Sequence, residues 1–157
     1  MKRRILALTL ACVFILLALT SCFQKTAVTE AEFSAAATEA GLEVRDTLEM
    51  YEEKTKEQIR SSTSAYAEDE KWTCHFVTFY EESYAVSAYQ QIKAEFESRV
   101  SGAWSSSYAN MVNYNKYEIN SNELFMYVCR VDDTVFYMGI EKEYKAAAKD
   151  IIAKIGY

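Results

Sequence analysis

Trp72-Thr73-Cys74-His75-Phe76-Val77-Thr78-Phe79-Tyr80 has the two-residue period of a β-strand and is largely apolar on both sides. Trp72, Cys74 and Phe76 point one way; Thr73, His75, Val77 and Phe79 point the other. A strand with one wet face alternates apolar and polar residues. This one has few polar residues to present, so it belongs in the interior of a sheet.

Working outward toward the C-terminus, Glu81-Glu82-Ser83 opens a helix that runs to about Arg99. Ala85, Tyr89, Ile92, Phe96 and Val100 form its apolar stripe. Ser101 to Asn110 reads as a small-residue loop, with Gly102, Trp104 and the run Ser105-Ser106-Ser107. Three strand segments follow: Met111 to Ile119, Glu123 to Val131 and Thr134 to Glu141. Asn120-Ser121-Asn122 and Asp132-Asp133 are the polar turns of an antiparallel meander. The chain closes with a helix from Lys142 to Ile155, lined by Tyr144, Ala148, Ile151 and Ile155. Gly156 stops it, and Tyr157 folds back onto Ile152 in a Schellman ending.

Toward the N-terminus, Glu68 to Lys71 is a turn, Ser61 to Ala67 a strand, and Leu42 to Arg45 a short strand. Leu48, Tyr51, Thr55 and Ile59 recur at helical spacing and predict a helix over 48–59. Thr29-x-x-Glu32 is a capping box that opens the first helix, with Val28 and Phe33 at the staple positions and Gly41 at its end. The sum is α+β: a mainly antiparallel sheet of about four to five strands with three to four helices packed on it. Residues 29–157 form a single domain.

His75 is the sole histidine. A hydrolase would need a serine and an acid beside it; a sheet histidine satisfied by a hydroxyl or a carbonyl is the plainer reading. The sequence contains no G-x-S-x-G elbow, H-E-x-x-H helix, P-loop or G-x-G-x-x-G turn. Cys74 and Cys129 both fall in strand-like segments. They are either a disulfide, which only an oxidising compartment permits, or two buried thiols. Two cysteines and one histidine do not make a zinc site, and nothing calls for a metal or cofactor. The acidic groups at Glu68-Asp69-Glu70, Glu81-Glu82 and Asp132-Asp133 read as solvated turns and a helix start. The aromatic residues offer more. Twelve tyrosines are present, and Trp104, Tyr114 and Tyr117 are the candidates for a ligand-binding face. The competing reading is that tyrosine is simply a good strand former.

Lys2-Arg3-Arg4, an uncharged stretch from Ile5 to Thr20, and Leu19-Thr20-Ser21-Cys22 stand in order at the N-terminus. The last four residues resemble the processing box of bacterial lipoproteins. That resemblance implies a signal peptide over 1–21, a diacylglyceryl thioether on Cys22, and cleavage before it. Two acyl chains anchor stably, at about 0.8 kcal/mol per buried CH₂. Residues 22–28 would be a short tether, spanning about 20 Å at full extension. Thr134-Val135-x-Tyr137 and the closing Ile155-Gly156-Tyr157 resemble small uncharacterised lipoproteins of Gram-positive anaerobes, a likeness that implies no activity.

Beyond the leader, 14 basic side chains face 23 acidic ones, a net charge of −9. That disfavours nucleic acid as a partner. The expectation is a lipid-anchored domain on the outer face of the cytoplasmic membrane of a Gram-positive bacterium. It binds a protein, peptide or glycan of the envelope without catalysis. A small hydrolase using His75 and a structural or inhibitory subunit of an envelope assembly are the alternatives.

Overall fold

The computed structural model describes residues 24–157; the expected leader, its processing box and Cys22 lie outside them. The order is α1 (Glu30–Glu39), β1 (Glu43–Asp46), a 3₁₀ turn (Leu48–Met50), α2 (Glu53–Lys56), β2 (Ile59–Tyr66), a 3₁₀ turn (Glu68–Glu70) and β3 (Thr73–Phe79). Then come α3 (Glu82–Arg99), β4 (Trp104–Asn110), β5 (Tyr114–Ser121), β6 (Leu124–Val131), β7 (Thr134–Glu141), a 3₁₀ turn (Lys142–Tyr144) and α4 (Lys145–Lys154).

The α+β class holds, but the sheet has seven strands rather than four to five, ordered β1-β2-β3-β7-β6-β5-β4 and antiparallel throughout. After β3 the chain crosses by α3 to the far edge, and the meander then returns to the middle. This seats β3 between β2 and β7, as its two apolar faces require. Phe76 lies across from Phe136 and Val77 across from Val135.

Each face has its own apolar layer. On one, α1 and α4 cover Phe76, Phe125, Tyr127, Phe136 and Met138 with Phe33, Ala37, Ile151, Ile155 and Tyr157. On the other, α3 sets Ala85, Tyr89 and Phe96 on Val77, Ile119, Met126, Val128 and Val135. Each fully buried large side chain contributes about 1.5–3 kcal/mol relative to exposure. Gly139 in β7 faces α3; a Cβ there would meet the Phe96 ring at an ordinary 3.5 Å and the movable end of Arg99 at 3.2 Å.

The local signals at the helix ends act as expected. Thr29 Oγ1 accepts from the Glu32 N–H (3.2 Å), and the Thr29 N–H donates to Glu32 Oε2 (2.8 Å). Leu42 N–H donates to Ala37 O and Tyr157 N–H to Ile152 O, with Gly41 and Gly156 in the left-handed region. Those are Schellman endings on α1 and α4. Asp132, at φ 50°, makes the tight β6–β7 turn, a conformation a short polar side chain tolerates.

Two segments differ from their sequence reading. The helix predicted over 48–59 is a 3₁₀ turn, a single α turn and then the start of β2. Thr47 N–H bonds to Ser62 O at 2.8 Å, so the chain between them must return to where it left, and a straight helix over 48–59, about 18 Å long, would carry it away. The loop predicted over 101–110 contains β4. A strand exposed on nearly every residue shows no apolar alternation, so its pairing to β5 left no mark on the pattern.

Candidate functional site

Three places concentrate chemistry, all on the α3 side of the sheet. The first is His75. Cross-strand pairing sets it opposite Ser64 on β2 and Tyr137 on β7. Its Nδ1 is 2.8 Å from Ser64 Oγ, and its ring stacks on Tyr137 at 4.7 Å between centroids. Ser64 Oγ continues to Thr47 Oγ1 (3.1 Å), then to Ser62 Oγ (2.9 Å), which donates to the Tyr51 hydroxyl (3.3 Å). Ser64 is 1% exposed, so no substrate carbonyl reaches its oxygen. The pair meets the hydrogen-bonding need of a sheet histidine and supplies no accessible nucleophile.

Burial lowers the His75 pKa below its ordinary 6.5. The unfolded chain therefore binds a proton on His75 at a higher pH than the folded one. Stability is full above about pH 6.5 and falls as pH drops below it. Urea titrations from pH 8 to pH 5 should show this loss in the native sequence. His75→Gln should lack that part of the slope, and an unchanged slope would place the titration elsewhere.

Next to this chain lies a cavity of about 200 Å³ between α3 and the 51–59 segment. Tyr51, Ile59, Val77, Phe79, Val135 and Tyr137 make its apolar floor, and Thr55, Gln58, Ser87 and Gln91 ring it with polar groups. It is small beside the usual range for ligand pockets, about 300–1,000 Å³.

The third place is the groove between α3 and the edge strand β4, about 500 Å³. Its floor is Tyr117, whose hydroxyl donates to Glu97 Oε1 (2.9 Å) beneath Lys93, itself 4.6 Å from the ring centre. Lys93 Nζ donates to the same carboxylate oxygen at 2.7 Å. These bonds hold the Glu97 pKa below the usual carboxylate range, while burial raises that of Tyr117. The rim is Trp104, 43% exposed, and Tyr108, 74% exposed.

Backbone geometry adds to this groove. Met111 N–H donates to Tyr114 O. In a regular antiparallel ladder, bonded positions recur every second residue. Residues 105, 107, 109 and 111 thus bond to β5, while Trp104, Ser106, Tyr108 and Asn110 turn their N–H and C=O groups away from the sheet. The same four residues line the groove. From Val100 through Asn115 there is no charged side chain, so this edge lacks the lysines or prolines that commonly blunt one.

The structure brings Trp104 and Tyr117 together and separates Tyr114 from them. Tyr114 and Tyr117 are three residues apart on one strand, so they point to opposite faces. Tyr114 is buried in the α1–α4 layer, where burial pushes its pKa up to about 12. Tyr108 takes its place in the groove; it sat in the segment read as a loop and was missed.

Cys74 and Cys129 are free and buried. Burial pushes each thiol up to about 12. The whole of β7 separates their strands. Two strand spacings come to about 9.5 Å, beyond the roughly 7 Å limit for a disulfide. Of the two readings, that of two buried apolar thiols holds, and the disulfide is excluded. Among the described residues no cluster of histidine, cysteine and carboxylate side chains is suited to a metal, and no helix is long and apolar enough to cross a membrane.

The fold and these sites define an α+β domain with helices on both faces of an antiparallel sheet. No family model matches the sequence, and no curated protein does. Among solved structures it is similar to a GTP binding regulator from Thermotoga maritima. The TM-score is 0.45 and the identity 15%, over 78% of this chain and 86% of that one. A likeness that distant carries no function across.

Proposed function

We propose that this chain is a lipoprotein held by Cys22 on the outer face of the cytoplasmic membrane, and that its domain binds an extended segment of an envelope protein along β4. The observation that supports the binding mode is the edge itself. Four residues turn unpaired backbone groups outward, all beside an aromatic groove, on a stretch without charge. An incoming strand gains main-chain hydrogen bonds from β4 and side-chain contacts from Trp104, Tyr108 and the α3 residues Gln90 and Lys93. Glycan stacking on the same aromatic rim is the other use of this surface, but it leaves the outward backbone row unused.

Proline separates binding from folding here. Ser106→Pro removes an outward N–H and no β4–β5 bond, so it should cost under about 1 kcal/mol of stability, whereas Ser107→Pro breaks the ladder and should cost about 3 kcal/mol. A photo-crosslinking residue at position 108, used in the intact envelope, should give a discrete adduct that Ser106→Pro abolishes. Persistence of the adduct in Ser106→Pro, or the same adduct from exposed position 50, would count against strand addition.

A further inference from the structure

The path of residues 24–28 sets which end of the domain the chain from Cys22 enters. Lys25 N–H donates to Asn113 Oδ1 (3.2 Å), and Asn113 Nδ2 donates back to Lys25 O (2.7 Å). Val28 N–H donates to the Tyr157 hydroxyl (3.2 Å). The segment is thus pinned at two points to the end of the sheet that carries the β4–β5 and β6–β7 turns. Cys22 stands three residues before Lys25, at most about 11 Å of extended chain away.

That same end exposes apolar side chains. Val112, at the tip of the β4–β5 turn and next to Asn113, is 83% exposed; Met111 is 47% exposed. Tyr80 follows β3 at this end, where Phe79 N–H bonds to Asp133 O, and its ring is also exposed. Three acidic groups nearby are engaged: Asp133 with Arg60 (3.1 Å), Glu82 with Arg130 (2.7 Å) and Asp132 with Asn113 (3.0 Å). Apolar side chains at the tip of a turn suit the headgroup–acyl boundary of a bilayer, and Tyr80 adds an aromatic ring at the same end of the sheet, three to four strands away.

We infer that the β4–β5 tip, Met111-Val112, is a second membrane contact that seats this end of the domain on the bilayer and stands β4 upright from it. The inference rests on the anchor at Cys22. With the anchor set, the tip samples the lipid surface as a tethered group, so even a weak apolar contact is populated at high effective concentration. The strand β4 then runs away from the membrane, with Trp104 at its far end and its outward edge open to a partner lying along the surface normal.

The full lipidated protein in phosphatidylcholine vesicles containing a nitroxide-labelled lipid tests this. A bimane fluorophore goes on Val112→Cys, with Met111→Cys as the second site on the same tip. Asn122→Cys, in the β5–β6 turn at the opposite end of the eight-residue strand β5, about 26 Å away, is the control. Cys74 and Cys129 are buried, which shields them from the label in the folded protein. The expected result is a blue-shifted bimane at the tip, quenched by the nitroxide lipid at least threefold more than at position 122. Equal quenching at both ends in protein that stays on the vesicles overturns the membrane contact and leaves the anchor standing. Protein that does not stay on the vesicles overturns the anchor, and the contact with it.

Discussion

Phe136→Ala is expected to lose about 4 kcal/mol of stability, within the range of about 3–5 for deleting a buried phenylalanine ring. Phe136 lies in β7, fully buried at the centre of the α1–α4 layer. Its ring centre is 6.0 Å from Phe33, 6.1 Å from Tyr127 and 6.2 Å from Tyr157. Removing it takes contacts from α1, from the C-terminal Tyr157 and from the neighbouring strand β6. These elements are held by a packed sheet and cannot collapse into the void. For a domain of this size the midpoint of thermal unfolding should fall by roughly 10–16 °C. Phe136→Leu, which keeps most of the volume, should cost well under half as much. Similar midpoints for the two variants would show that the layer relaxes around the gap and that packing there is loose.

Arg130→Ala is expected to cost about 3 kcal/mol, and Glu82→Gln only about 1 kcal/mol. Arg130 is 2% exposed on β6. Its Nε donates to Asn115 Oδ1 (2.7 Å), and its Nη1 donates to Glu82 Oε1 (2.7 Å) and to Asp132 O (3.0 Å). One guanidinium therefore joins the first turn of α3, strand β5 and the β6–β7 turn. The ion pair itself is the smaller part, because the Glu82 side chain is mostly in water and an exposed carboxylate is well screened. The larger part is the fork of donors and the buried stem, both lost in Arg130→Ala. Arg130→Lys should recover less than half, since an ammonium cannot reach all three acceptors in one plane. Urea unfolding of the three variants at low and high salt checks the ordering. Strong salt dependence of the Arg130→Ala loss would mean the charge pair dominates after all.

How much of this was legible in the sequence depends on whether a residue's role is local. The capping box at Thr29 and Glu32 and the glycine endings at Gly41 and Gly156 are set within five residues of chain, and they form as read. The stripe on α3 was legible because one helix face is buried and the other wet. The edge strand β4 was not, because a strand in water on both faces carries no alternation. The stretch over 48–59 misled for a related reason. Tyr51, Thr55 and Ile59 do converge, on the floor and rim of one cavity, but from two short turns and a strand start rather than one helix.

The aromatic face was half legible. Trp104 and Tyr117 meet in one groove, but the third ring is Tyr108 and not Tyr114. Position parity along β5 decides that: Tyr114 and Tyr117 differ by an odd number and cannot share a face. Of the two readings of Cys74 and Cys129, sheet order decides for buried thiols. β7 returns to the middle of the sheet and inserts between β3 and β6, and nothing in the spacing of two cysteines shows which strand comes between them.

The amino-acid order by itself determined the element types wherever burial is one-sided or complete, the helix ends, the acidic balance, and the interior place of Trp72 to Tyr80. Those follow from side-chain period and from hydrogen bonds made within a few residues. Only the tertiary structure decided the strand order, the exposed edge at β4, the hydroxyl chain behind His75 and the docking of residues 24–28 beside Asn113. Each of these joins residues far apart in the chain, and which distant segments pair is settled by packing the whole sheet.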